Sequence, residues 1–198
     1  MERRRGALPR RPHGRRDGPP RRPGVRRRAG AEGGLCDLRR RPRLVRLRPQ
    51  RREVAHEHYA YKLRWLEALR EAVAADAAGT LPFAVLGDYN IAPTDEDVWD
   101  PAVFEGATHV TPAEREALAA LRGTGLSDVV PRPLKYDRPY SYWDYRQLAF
   151  PKNRGMRIDL VYGNAPFAAA VKDSYVDREE RKGKGASDHA PVVVDLDV

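Results

Sequence analysis

Only one cysteine, Cys36, is present, so the chain can form no internal disulfide and no cysteine-based zinc cluster. That usage fits a reducing compartment such as the cytoplasm. No apolar run approaches the length needed to span a bilayer, which excludes a membrane partner through a buried helix. The amino-terminal arginines are followed by no apolar stretch, so they do not read as a secretory signal. Lysine is absent from residues 1–52, where 20 arginines stand against only four acids, Glu2, Asp17, Glu32 and Asp37. That segment carries a net charge of +16, whereas residues 53–198 hold 17 basic and 24 acidic residues, a net of −7. The overall +9 and isoelectric point near 9.9 suggest an acidic partner such as nucleic acid, but they describe neither part.

Residues 1–52 also contain 7 Pro and 7 Gly with no period of 2 or 3.6. A chain of that composition buries too little apolar surface to offset its ordering entropy. Three readings are open: a disordered basic arm, a nucleic-acid-binding arm, or a GC-rich gene read out of frame. The missing lysine favours the third. From residue 53 the character changes. Tyr59, Leu63, Leu66, Leu69 and Val73 share one face of a helix, with Lys62, Arg64, Glu67 and Arg70 expected on the other. Phe83-Ala84-Val85-Leu86 is a short apolar run of the kind covered on both faces, which predicts a layered α/β or sandwich protein. Thr111-Pro112-Ala113-Glu114 is a capping box opening a helix that should end near Gly123. Ile158–Tyr162 and Pro191–Leu196 predict two further strands.

Chemistry-bearing residues fall at the ends of these strands. Gly87-Asp88-Tyr89-Asn90 follows the first, Arg157-Ile158-Asp159 opens the second, and Ser187-Asp188-His189 leads into the last. Each alone has an ordinary explanation: a turn, a structural ion pair, or a capped loop with a solvated histidine. Together they supply the parts for activating water and holding a hard divalent ion, Mg²⁺ or Mn²⁺, against a phosphodiester. Between them lie Trp143-Asp144-Tyr145-Arg146 and Asn153-Arg154-Gly155-Met156-Arg157, aromatics interleaved with cations, a pattern suited to DNA.

These motifs, with Asp97-Val98-Trp99-Asp100-Pro101, resemble in order and spacing the exonuclease III family of apurinic/apyrimidinic endonucleases. The resemblance covers residues 53–198, the carboxy-terminal part of that family's catalytic domain. It implies a four-layer α/β sandwich, two packed sheets flanked by helices, here incomplete because the first half is missing or replaced. It further implies that Asp88 activates the attacking water, Asn90 holds a phosphate oxygen, and Asp159 orients a phosphate-stabilising His189. Asp88, Asn90, Asp188 and His189 would surround Mg²⁺. Trp143, Arg146, Asn153, Arg154 and Arg157 would face DNA. The implied protein is a monomeric repair phosphodiesterase acting on double-stranded DNA at abasic sites or 3′ ends. The family's metal-binding Glu and catalytic Tyr have no counterpart in residues 1–52, so impaired activity is expected. Two alternatives are another phosphodiesterase or phosphatase of the same superfamily, and a non-catalytic basic DNA-binding remnant.

Overall fold

The computed structural model describes residues 57–197, together with Val54 and the backbone of residues 28–29, 34–37 and 43–44. The elements, in chain order, are β1 (Arg28–Ala29), β2 (Gly34–Asp37), β3 (Arg43–Leu44), α1 (Glu57–Ala77) and β4 (Phe83–Asp88). They continue with α2 (Pro112–Arg122), β5 (Ser127–Asp128), β6 (Asp159–Gly163), α3 (Ala165–Ala170), β7 (Val171–Val176) and β8 (Val192–Leu196). Short 3₁₀ turns occupy Asp95–Asp97, Pro101–Phe104 and Arg178–Arg181.

Two antiparallel sheets result, one in the order β3-β2-β4-β6-β5 and one in the order β1-β8-β7. The pleat of β4 and β6 explains the layering, because alternate residues leave a strand on opposite faces. Phe83 and Val85, with Leu160 and Tyr162, pack against Leu66, Leu69 and Val73 of α1 and Leu118 and Leu121 of α2. Ala84 and Val161 point the other way and meet Val176 and Val192 of the second sheet. The described residues therefore stack helices, sheet and sheet, the mixed α/β architecture with two packed sheets that the motifs imply. None of their helices is long and apolar enough to cross a membrane.

The helix boundaries follow from local chemistry. Thr111 caps α2 by accepting from Glu114 N–H, Glu114 reaches back to the Thr111 N–H, and Gly123 is the C-cap, as the capping box predicts. Asn164 does the same for α3, accepting from the Phe167 N–H while its amide nitrogen donates to Leu81 O at 2.8 Å. In α1 the outcome differs from the sequence reading. Lys62 does not lie on the solvent face; it is 7% exposed and belongs to the buried stripe Lys62, Leu66, Leu69, Val73. Its reach to a buried carboxylate, described below, offsets its desolvation. The expectation that residues 1–52 are disordered or out of frame falls largely outside the described residues. Where the backbone is described, β2 pairs with β4 from Gly34↔Leu86 to Asp37↔Phe83 and β1 pairs with β8, elements for which the sequence gives no periodic signal.

Candidate active site

The antiparallel register sets Asp88, the last residue of β4, directly opposite Asp159, the first of β6. Both side chains leave the sheet on the face turned toward β8, and His189 arrives from the loop that precedes that strand. His189 Nδ1 and Asp159 Oδ2 are 2.8 Å apart, and Nε2 lies 4.0 Å from Asp88 Oδ2. With Nδ1–H donated to the carboxylate, the imidazole is held in one tautomer and Nε2 is presented to the cleft. The Tyr142 ring braces His189, with centroids 4.9 Å apart. Ser141 Oγ accepts from the backbone N–H groups of Ile158 and Asp159 at 3.2 and 3.1 Å, fixing the start of β6.

Asn90 folds back onto Asp88. Its N–H donates to Oδ1 at 2.8 Å and its side-chain amide to Oδ2 at 2.6 Å. This double contact requires φ of +51° at Asn90, a left-handed conformation that asparagine tolerates better than most residues.

Burial pushes the Asp88 carboxyl up from 3.8 to about 7, and the neighbouring Asp159 charge adds to the effect. His189 and the two Asn90 hydrogen bonds pull the other way without cancelling it. For His189, burial opposes the cation. The hydrogen bond and charge of Asp159, with Asp88 and Asp188 behind them, outweigh it and raise the imidazole from 6.5 to about 8. Near neutrality the site thus holds a carboxyl that can take a proton beside an imidazole that carries one, the pairing expected of acid/base machinery.

Asp88, Asn90, Asp188 and His189 line a cleft of about 530 Å³. It opens through His109, Tyr142, Asp144, Arg146 and Met156 into a larger cavity of about 800 Å³ walled by Trp99, Phe104 and Arg154. In chemistry the donors suit a hard ion, since Asp88, Asn90 and Asp188 offer oxygens and Asp159 Oδ1 is buried without a hydrogen-bond partner. In number they fall short. Among the described residues no group of three or more His, Cys, Asp or Glu side chains could hold a metal ion.

The residues expected to face DNA divide. Arg146 lines the cleft with its side chain 78% exposed, close to Asp144 at 3.4 Å. Arg154 lies over the Trp99 ring at 4.7 Å in the wall of the larger cavity. Trp143 is a correction: it is 1% exposed, packed edge-on to Phe150, and donates Nε1–H to Asn153 Oδ1 at 3.3 Å. Its face is not available for stacking, and Asn153, half-buried, serves as its acceptor. Arg157 is a second correction, because its guanidinium is 3% exposed and held by Asp97 and Asp128. A cation neutralised from two sides inside the protein cannot meet a phosphate. On the far side of the aromatic loop, Arg178 and Arg181 stack on Phe150 at 3.8 and 5.1 Å, and Arg181 also on Tyr145 at 4.9 Å.

Sequence reasoning missed His109, whose Nδ1 lies 2.6 Å from Asn90 O, and the bracing role of Tyr142. Tyr142 directly precedes the aromatic run Trp143-Asp144-Tyr145-Arg146; His109 carries no sequence signal.

A model described as the endonuclease/exonuclease/phosphatase family matches residues 5–189, beginning inside the arginine-rich segment. Exodeoxyribonuclease III of Haemophilus influenzae is 29% identical over 156 residues, covering 73% of this chain and 57% of that protein. Among solved structures, the 3′-5′ exonuclease NExo of Neisseria meningitidis superposes with a TM-score of 0.68 at 34% identity, covering 73% of this chain and 57% of the other. An AP endonuclease from Archaeoglobus fulgidus superposes with a TM-score of 0.72 at 26% identity, covering 88% and 73%. The chain spans little more than half the length of the first two.

Proposed function

Since the chain belongs to the endonuclease/exonuclease/phosphatase family, we propose that it is a DNA-repair phosphodiesterase acting as a monomer on double-stranded DNA at abasic sites or 3′ ends. The observation that carries this reading is the convergence of Asp88, Asp159 and His189, from three separate strand ends, on one cleft with Asn90 folded over the first.

The residues divide the work by charge. Ionised Asp88 accepts the proton of a water placed between it and the phosphorus, and its high proton affinity makes it a stronger base than a solvated aspartate. Asn90 orients that carboxylate and has a second amide proton for a non-bridging oxygen. Protonated His189, oriented by Asp159, presents Nε2–H to the phosphoryl group, where negative charge accumulates as the water attacks. Arg146 and Arg154 at the rim meet flanking phosphates. Mg²⁺, or Mn²⁺ in its place, would neutralise the phosphate and the leaving oxygen when bound beside Asp88, Asn90, Asp188 and His189, completed by ligands beyond these four. Because Mg²⁺ held by few protein ligands is readily lost, this chain is expected to be less active than a family member carrying the additional Glu.

The test is turnover of an abasic-site duplex and of a recessed 3′ end by the full chain with Mg²⁺. Asp88→Asn should lower kcat by at least ~10²-fold with duplex affinity retained. Near-wild-type kcat in that variant would remove Asp88 as the base. Duplex binding without any turnover, with a steep salt dependence carried by residues 1–52, would leave only the DNA-binding remnant.

A further inference from the structure

A left-handed residue at a reacting centre is held by something, and here one of the holding groups, Lys62, lies outside the cleft. The carbonyl oxygen of Asn90 receives two contacts, from Lys62 Nζ at 3.2 Å and from His109 Nδ1 at 2.6 Å. The Lys62 ammonium, on α1, is hydrogen-bonded to Glu114 Oε1 on α2. Glu114 is 0% exposed, and its other oxygen accepts from the Thr111 N–H at 3.0 Å and hydroxyl at 2.9 Å. Tyr59 OH joins the same hydroxyl at 2.7 Å.

A buried ion pair is a poor way to fasten two helices, because well-packed apolar side chains at the same place cost less desolvation. What an apolar pair cannot supply is a charged donor aimed at a carbonyl. The geometry points to Lys62 and Glu114 as positioning residues: Glu114 holds the Lys62 ammonium against Asn90 O, and this contact fixes the backbone from which Asn90 grips Asp88. Neither residue lines the cleft, so neither touches substrate. The inference rests on the catalytic reading of Asp88 given above.

The chain of causes runs from helix cap to base. Glu114, tied down by Thr111, sets where the ammonium sits. The ammonium and His109 fix the Asn90 carbonyl, and with the peptide after Asn90 held, its φ of +51° keeps the Asn90 N–H and side-chain amide on the two oxygens of Asp88. Without the ammonium only His109 holds the Asn90 carbonyl, so the left-handed conformation of Asn90 is less firmly kept and the contacts that aim Asp88 loosen.

Lys62→Met alone strands the Glu114 charge and risks unfolding, so the decisive variant is Lys62→Met combined with Glu114→Gln. It keeps both side-chain volumes and leaves an amide oxygen for the Thr111 cap. Two readouts are taken on the full chain. In kinetics with the abasic duplex, kcat should fall about 10-fold or more while KM changes by less than about 3-fold, since only aim is lost. In ¹H–¹⁵N spectra, the side-chain amide pair of Asn90 should move toward its free position, while those of Asn153 and Asn164, the only other asparagines, stay in place.

A folded double variant with unchanged kcat and unmoved Asn90 resonances overturns the proposal. So does a loss of kcat matched by the unfolded fraction with the Asn90 resonances of the folded fraction unmoved. Should the wild-type chain show no turnover, or Asp88→Asn retain it, the catalytic reading fails instead. The spectra still decide in that case whether Lys62 and Glu114 hold Asn90.

Discussion

Asp88→Asn should make the protein more stable as well as less active, and the size of the gain should depend on pH. The unfolded chain ionises this carboxyl near 3.8, whereas the folded protein does so only near 7. Between those values the folded state binds the proton more tightly, so this group's contribution to stability falls as pH rises; above about 7 the full deficit persists. Each tenfold difference in proton affinity is worth about 1.4 kcal/mol. From pH 5 to pH 8, Asp88 alone should therefore remove roughly 2–3 kcal/mol of wild-type stability. The amide of the variant cannot ionise and escapes this loss. It forfeits one contact, because its NH₂ meets the amide donor of Asn90, at a pH-independent cost of about 1 kcal/mol. The variant should thus be more stable than wild type by less than about 1 kcal/mol at pH 5 and by roughly 3 kcal/mol at pH 8. Urea unfolding of both proteins at intervals across that range, in the presence of a chelator, measures the difference directly. A stability difference that stays flat from pH 5 to pH 8 would refute the argument, since it would mean that Asp88 is neither desolvated nor opposed by Asp159.

Asp159→Asn removes the charge that holds the His189 proton, and with burial still opposing the cation the imidazole should titrate well below about 8, read from the pH dependence of its ring carbon–proton shifts. With it goes stability that is fully present below pH 6.5 and lost as pH rises through 8. Gly155→Ala would set a methyl group 2.5 Å from Trp143 Nε1 and 2.8 Å from Tyr140 Cβ. Thermal unfolding should show a loss of about 1–3 kcal/mol. Arg157→Met leaves buried Asp97 and part-buried Asp128 without their cation and should cost about 3–5 kcal/mol. Arg146→Ala, by contrast, should change stability by less than about 0.5 kcal/mol. The same substitution should lower the salt dependence of duplex binding by about one counterion.

Much of the site was legible because strand ends announce themselves. An apolar run followed by Gly87-Asp88-Tyr89-Asn90 could hardly be other than a buried strand opening into a polar loop. Asp159 inside an apolar segment likewise demanded a partner, and His189 is that partner. The periodicity of α1 and the capping box of α2 were readable for the same reason, that local rules act over a few residues. What was hidden depends on contacts between distant segments. Lys62 looked like a surface residue because a lysine in an amphipathic helix normally is one, and only the arrival of Glu114, 52 positions later, makes its burial tolerable. Trp143 and Arg157 sit in a stretch whose composition suits DNA, yet composition does not say which side of a loop faces inward. β7, Val171–Val176, reads Val-Lys-Asp-Ser-Tyr-Val, three polar residues in a row with a register shift between Val171 and Asp173, and so shows no period of two to be read as a strand. Backbone pairing by β1, β2 and β3 has no periodic signature at all.

The ladder contact between Asp88 and Asp159 divides the chain by how freely it can change. A single residue inserted within Phe83–Asp88 would turn Asp88 to the helix side of the sheet, because the pleat has a period of two. The loops between residues 89 and 158 that lie outside α2 and β5 are under no such constraint, because a residue added there does not shift the pleat of β4 or β6. Trp99, Tyr145, Arg146 and Arg154, which form the rim, all lie on those loops. The rim can therefore vary by substitution, and its loops by insertion and deletion, while Asp88 and Asp159 stay locked to the sheet.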